Sequence, residues 1–221
     1  MSIPSVAPRP IQLALRDAVL NADLAIPRPA RGLVIFAHGS GSSRRSSRNQ
    51  GVARELEHAG FATLLLDLLT EAEDRIDVTS AEFRFDIPLL GSRVSAAVAW
   101  ARTDGITASL PVGIFGASTG AAAALIAAAE HPSSVRAVVS RGGRPDLAAR
   151  ALDRVRAPSL LIVGERDETV ITLNQQALAR LTAPAQLAIV PRATHLFEEP
   201  GTLARVVDLA RDWFDRYLTS G

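Results

Sequence analysis

The chain has 221 residues, enough for one domain whose core needs no covalent staples. It contains no cysteine, which excludes disulfides, thiolate nucleophiles and thiolate metal sites, and no lysine, which excludes a lysine base or Schiff base. Its 24 basic residues, all arginine, are interleaved with 23 acids to a net charge of +1, so no nucleic-acid-binding face is expected.

The first ten residues lack both the basic start and the apolar centre of an export signal. The longest apolar run, 121–129, falls far short of the roughly 20 residues that cross a bilayer. A soluble, cytoplasmic protein without a membrane partner is the expectation, with the oligomeric state left open.

Residues 11–15 and 18–26 set apolar side chains around Arg16-Asp17, predicting an opening hairpin at a sheet edge that Pro27 and Pro29 end. Residues 33–37 form a short continuous apolar run, the pattern of a strand buried on both faces, which empties into His38-Gly39-Ser40-Gly41-Ser42-Ser43. Backbone amides in so glycine- and serine-rich a loop are free to point at a ligand. Arg44, Arg45 and Arg48 follow, read as a solvated face or as an attractor of anionic substrates. An amphipathic helix over 49–59 stops at Gly60, and a strand over 61–66 closes at Asp67.

An acidic excursion, 67–84, has room for a short helix, and apolar positions at helical spacing predict a longer one over 87–102. A strand over 112–115 then breaks at Gly116, passes through Ser118 and becomes an alanine-rich helix that ends near His131-Pro132. The strand 135–139 runs into Ser140-Arg141-Gly142-Gly143-Arg144-Pro145, and only 146–156 separates it from the next strand, 159–163, which leaves no room for a lid. After Gly164-Glu165-Arg166-Asp167 come a helix over 170–181, a last strand over 185–190, the turn Pro191 to His195 and a final helix over 202–218. Strands and helices alternate from residue 33 onward, so the fold class is α/β, a mostly parallel sheet with helices on both faces. With no repeat, linker or composition break, 1–221 is expected to be a single domain.

Gly116-Ala117-Ser118-Thr119-Gly120 is a G-x-S-x-G nucleophile elbow, in which both glycines must be small because strand and helix approach closely. At this composition such a register arises by chance in on the order of one chain in fifteen, so its partners decide its meaning. Ser118, Asp167 and His195 each follow a different predicted strand, at the sheet end where functional groups collect, in the order nucleophile, acid, base. A serine hydroxyl needs a base to take its proton during attack, and an imidazole needs a carboxylate to hold its other N–H. His195 and Asp167 fill those roles, with Glu165, Glu168 and Glu198 as rival acids and a helix N-cap as the alternative use of Asp167.

The oxyanion of the tetrahedral intermediate requires fixed donors, read as the Thr119 amide and one from the 38–41 loop, with Ser40 ahead of Gly39 and Gly41. His38 is expected to brace that loop, while His58 and His131 read as surface groups. Arg141 and Arg144 are either a carboxylate or phosphate clamp or plain loop ion pairs. Gly39, Gly41 and Arg141 complete the substrate-binding candidates. No spacing suggests a metal site, and no cofactor is expected.

Where Gly116-Ala-Ser-Thr-Gly, Gly164-Glu-Arg-Asp-Glu-Thr-Val and Ala193-Thr-His-Leu-Phe line up, the chain resembles a small α/β-hydrolase of the dienelactone-hydrolase-like group, over nearly all its length from residue 33. The resemblance implies a compact lidless sheet, a triad of Ser118, Asp167 and His195, an oxyanion loop at 38–41, and hydrolysis of esters or lactones. True dienelactone hydrolases use cysteine at the elbow, where this chain has Ser118, which favours a general carboxylesterase on small or short-chain acyl esters. Similar domains also occur joined to phosphoribosyltransferases, and no such segment is read here. The alternatives are a thioesterase, lactonase or peptidase on the same triad, or a hydrolase-fold binding module that keeps the triad by descent.

Overall fold

In the computed structural model, residues 6–219 are described. The opening residues read above as no export signal lie partly outside that range, since 1–5 are not among those described. Among the described residues, eight strands form one sheet in the order β1-β2-β4-β3-β5-β6-β7-β8. The hairpin β1 (Arg9–Ala14) and β2 (Val19–Ala25) lies at one edge, and β2 runs antiparallel to β4 (Ala62–Leu66). From β4 through β3 (Leu33–Ala37), β5 (Val112–Ala117), β6 (Val135–Arg141), β7 (Ser159–Gly164) and β8 (Ala185–Val190), all neighbours are parallel.

Burial explains the run-like sequences of the central strands. Every residue of β3, β4, β5 and β7 is buried, because helices cover both faces. On one face, α3 (Ile87–Ala101) and α4 (Thr119–Glu130) pack Val94, Val98, Ala124 and Ala128 against Ile35 and Ile114. On the other, α1 (Ser47–His58) and α6 (Thr202–Leu218) pack Leu56, Val206 and Phe214 against Phe36 and Phe115. The alanines of α4 are nearly all buried, which lets this helix lie close to the sheet and to α3.

The acidic excursion contains α2 (Glu71–Ser80), started by a full capping box between Thr70 and Glu73. The short connection after β6 is a kinked 3-10 segment, Pro145–Arg154, and α5 (Glu168–Leu178) joins β7 to β8. Among the described residues, no separate lid is inserted. Among the described residues, no helix is long and apolar enough to cross a membrane.

Candidate active site

The end of β5 passes directly into Ser118, whose φ of 50° and ψ of −122° lie outside the regions a side-chain-bearing residue adopts without strain. Close packing holds it there. A Cβ on Gly116 would lie 2.5 Å from Cα of Ala121, and one on Gly120 would lie 2.3 Å from the carbonyl oxygens of Ala37 and His38. The Ser118 amide donates to the Arg141 carbonyl at 3.2 Å, while the Ser118 carbonyl accepts from the amides of Ala121 and Arg144, both at 3.1 Å. The elbow is therefore pinned from β6 as well as from its own helix. Thr119 opens α4, so its amide has no acceptor within the helix.

Asp167 occupies the N-cap position of α5 and makes no capping bond. Its Oδ2 instead accepts from Nδ1 of His195 at 2.6 Å. The two loops can meet because Gly164 has no side chain, since a Cβ there would sit 2.5 Å from the carbonyl oxygen of Ala193. The rival acids are otherwise engaged or placed. Glu165 accepts from the Arg192 amide at 2.7 Å, Glu198 pairs with Arg48 at 3.2 Å, and Glu168 lies in the first turn of α5.

Ser118 and His195 line one cavity of about 250 Å³, together with Gly39, Ser40, Arg141 and Leu196. Among the described residues no hydrogen bond joins the Ser118 hydroxyl to His195, a contact that in resting enzymes is commonly long and tightens with substrate. Gly39 packs against the serine, its Cβ direction only 3.0 Å from Cβ of Ser118. Gly41, a substrate-binding candidate from sequence, does not line this cavity. Its φ of +66° turns it toward the Arg84 guanidinium, in a smaller recess that also includes Asp77.

His38 is buried beneath the loop and does brace it. Nε2 accepts the Leu68 N–H at 3.0 Å, so the ring proton is on Nδ1, which donates to the Gly39 carbonyl at 2.8 Å. Burial pushes its pKa down, against smaller upward pulls from the Gly39 carbonyl and from Asp67 and Asp74.

Arg141 ends β6 rather than following it, in register with Ala117 on β5. The guanidinium is buried, reaches Oδ1 of Asn49 at 3.4 Å, and lies 5.9 Å from the centre of the Phe197 ring. Burial, reinforced by the like charge of Arg48, lowers its pKa to about 10, so it remains charged at neutral pH. The other arginines have different surroundings. Arg144 makes a two-point pair with Asp146 at 2.9 and 2.8 Å, an ordinary loop ion pair rather than a clamp. Arg44 is held between Asp23 and Asp67 and is no solvated group, whereas Arg48 lines the cavity. Sequence reasoning also missed Asn49, whose signal was a polar residue at the buried start of an amphipathic helix. Among the described residues, no group of three or more His, Asp or Glu side chains gathers as a metal site.

Residues 19–214 match the model of the dienelactone hydrolase family. This chain belongs to that family. A crystal structure of dienelactone hydrolase from Anabaena variabilis is similar at a TM-score of 0.96 and 52% identity, covering 97% of this chain and 100% of that one. Est1E from Butyrivibrio proteoclasticus, solved with ferulic acid bound, shares the fold at a TM-score of 0.80 and 16% identity, over 95% of this chain and 100% of that one. Two Mycobacterium tuberculosis proteins that carry a provisional phosphoribosyl transferase name are each 54% identical over 215 residues. The match covers 97% of this chain and 48% of each of them, so the chain spans about half the length of these curated relatives. Family and fold together give this dienelactone hydrolase family member the α/β-hydrolase fold.

Proposed function

We propose that the protein is a serine hydrolase of carboxylic esters with small or short acyl groups, acting through Ser118, His195 and Asp167. The observation that carries the reading is the 2.6 Å bond from His195 Nδ1 to Asp167, formed by a carboxylate that leaves its own helix uncapped. That bond puts the imidazole proton on Nδ1 and leaves Nε2 bare, the tautomer a general base needs.

In the first half-reaction, Ser118 Oγ attacks the acyl carbon while His195 Nε2 takes the hydroxyl proton. The imidazolium, stabilised by ionised Asp167, then protonates the departing alcohol and leaves the acyl group on Ser118. A water, deprotonated by His195, attacks that acyl carbon and releases the acid. The Thr119 amide and an amide of the Gly39-Ser40 loop supply the donors for the oxyanion at each tetrahedral stage.

A lactone is a second reading, favoured by the family and by the Anabaena relative's description as a dienelactone hydrolase. Being a cyclic ester, it uses the same steps with the leaving hydroxyl retained on the acyl chain. A fluorophosphonate probe on the folded protein, followed by hydrolysis of p-nitrophenyl acetate and a small lactone panel, tests the proposal. Labelling at Ser118 is expected, with turnover reduced at least about a thousandfold in Ser118→Ala. Folded protein left unlabelled at Ser118 favours the non-catalytic binding module instead.

A further inference from the structure

The cavity beside Ser118 carries more positive charge than cleavage of a neutral ester uses. Arg141, Arg48, Asn49, Ser40, Ser42 and Ser46 line it, and among the described residues no acidic side chain does. Arg141 is only 7% exposed, its Nε is buried without a hydrogen-bond partner, and among the described residues no carboxylate pairs with it. Arg48 has one nitrogen on Glu198, half-exposed or more, while its Nε is likewise buried and unpartnered.

A buried guanidinium with no carboxylate beside it, as at Arg141, destabilises the fold unless an anion completes the arrangement. The surroundings fix Arg141 in place. Phe197 lies against it with a φ of +57°, a conformation that a bulky residue keeps only when its neighbours hold it there. Ser46, the N-cap of α1, lines the cavity with Arg48 and Asn49 of the first turn, so the partial positive charge of that helix N-terminus lies beside the same space.

We propose that this pocket binds a phosphate monoester group carried by the ester substrate, with Arg141 as its principal ligand. A carboxylate offers two oxygens in a plane, whereas a phosphate monoester offers three terminal oxygens in a tetrahedral array and close to two negative charges. A cavity lined by two arginines, three serines and a helix N-terminus suits the latter in charge. The phosphate is held and not transferred. No P–O bond breaks, and the acyl C–O bond at Ser118 is the one cleaved. The proposal rests on the serine-hydrolase reading for the fate of the ester, but the binding of phosphate stands apart from it.

Calorimetric titration of the folded protein with inorganic phosphate, methyl phosphate and succinate, at equal ionic strength, separates the possibilities. Both phosphates are expected to bind at least tenfold more tightly than succinate and to compete with p-nitrophenyl acetate. Arg141→Met is expected to weaken phosphate at least tenfold. Should that variant not fold by thermal melting, Arg48→Met, expected to weaken phosphate at least threefold, replaces it. Absence of phosphate binding, equal or tighter binding of succinate, or binding indifferent to the folded variant overturns the proposal. Fluorophosphonate labelling in the same samples keeps the two readings apart. A labelled Ser118 without phosphate binding defeats only the phosphate site, and phosphate binding to an unlabelled protein defeats only the hydrolase.

Discussion

The role proposed for Asp167 rests on what its side chain leaves undone. As an N-cap it would accept an amide of α5, yet its carboxylate turns to His195. Asp167→Asn preserves the shape but brings an N–H to Nδ1, which forces the ring proton onto Nε2, the nitrogen the proposed base must keep bare. Turnover is expected to fall by about ten thousandfold while the melting temperature changes little, measured by steady-state kinetics and calorimetry. Gly120 is a purely steric case. Its added Cβ would overlap two backbone carbonyl oxygens at 2.3 Å, and neither can rotate away. Gly120→Ala is expected to destabilise by about 3 kcal/mol or more in denaturant titration, the upper end of overpacking effects.

Among the elements, the link between the loop after β3 and the loop after β4 depends on a neutral imidazole. His38 Nε2 accepts the Leu68 N–H, and a proton on that nitrogen replaces the bond with two opposed donors. Since burial lowers the folded pKa below the ordinary 6.5, the unfolded chain binds more protons than the native one between those two values. Stability therefore rises with pH through this window, and is lost as pH falls below about 6.5. Denaturant midpoints between pH 7.5 and 5 are expected to show the slope, and His38→Gln to flatten it. Between α1 and β4 the sign reverses. Buried Glu57 accepts from Thr63 Oγ1 at 2.5 Å, and burial raises its pKa above 4.5 more strongly than that bond lowers it. Its charged form costs stability at neutral pH, so Glu57→Gln is expected to raise the melting temperature at pH 7, with the gain shrinking in acid.

At the scale of the whole molecule, the connection after β6 is a short 3-10 segment, the connection after β4 holds only α2 and α3, and no separate lid is inserted among the described residues. Without a lid, little apolar surface is available for a long acyl chain to bury. A p-nitrophenyl ester series is expected to show kcat/KM highest from acetate to butyrate and falling by octanoate. A rate that climbs through dodecanoate overturns the short-chain assignment.

The residues alone determined the parallel α/β sheet and the elbow, because those signals are local. Continuous apolar runs mark buried strands, three-to-four-residue spacing marks helices, and G-x-S-x-G marks a close turn, each within about one element's length. The terminal helix and the last strand agree with their sequence bounds for the same reason. Where partners are distant, the chain left alternatives open. β6 runs two residues past its apolar stretch because β5 beside it continues to Ala117 and keeps the ladder paired. Asp167 was separated from three nearby glutamates only by the approach of two loops at Gly164. Arg141 and Arg144 looked alike in sequence, three positions apart. Arg144 pairs locally with an aspartate two residues on, whereas only the fold buried Arg141 against Asn49, 92 residues away, with no carboxylate among the described residues. A charge's environment depends on what the fold packs around it, which no local pattern encodes.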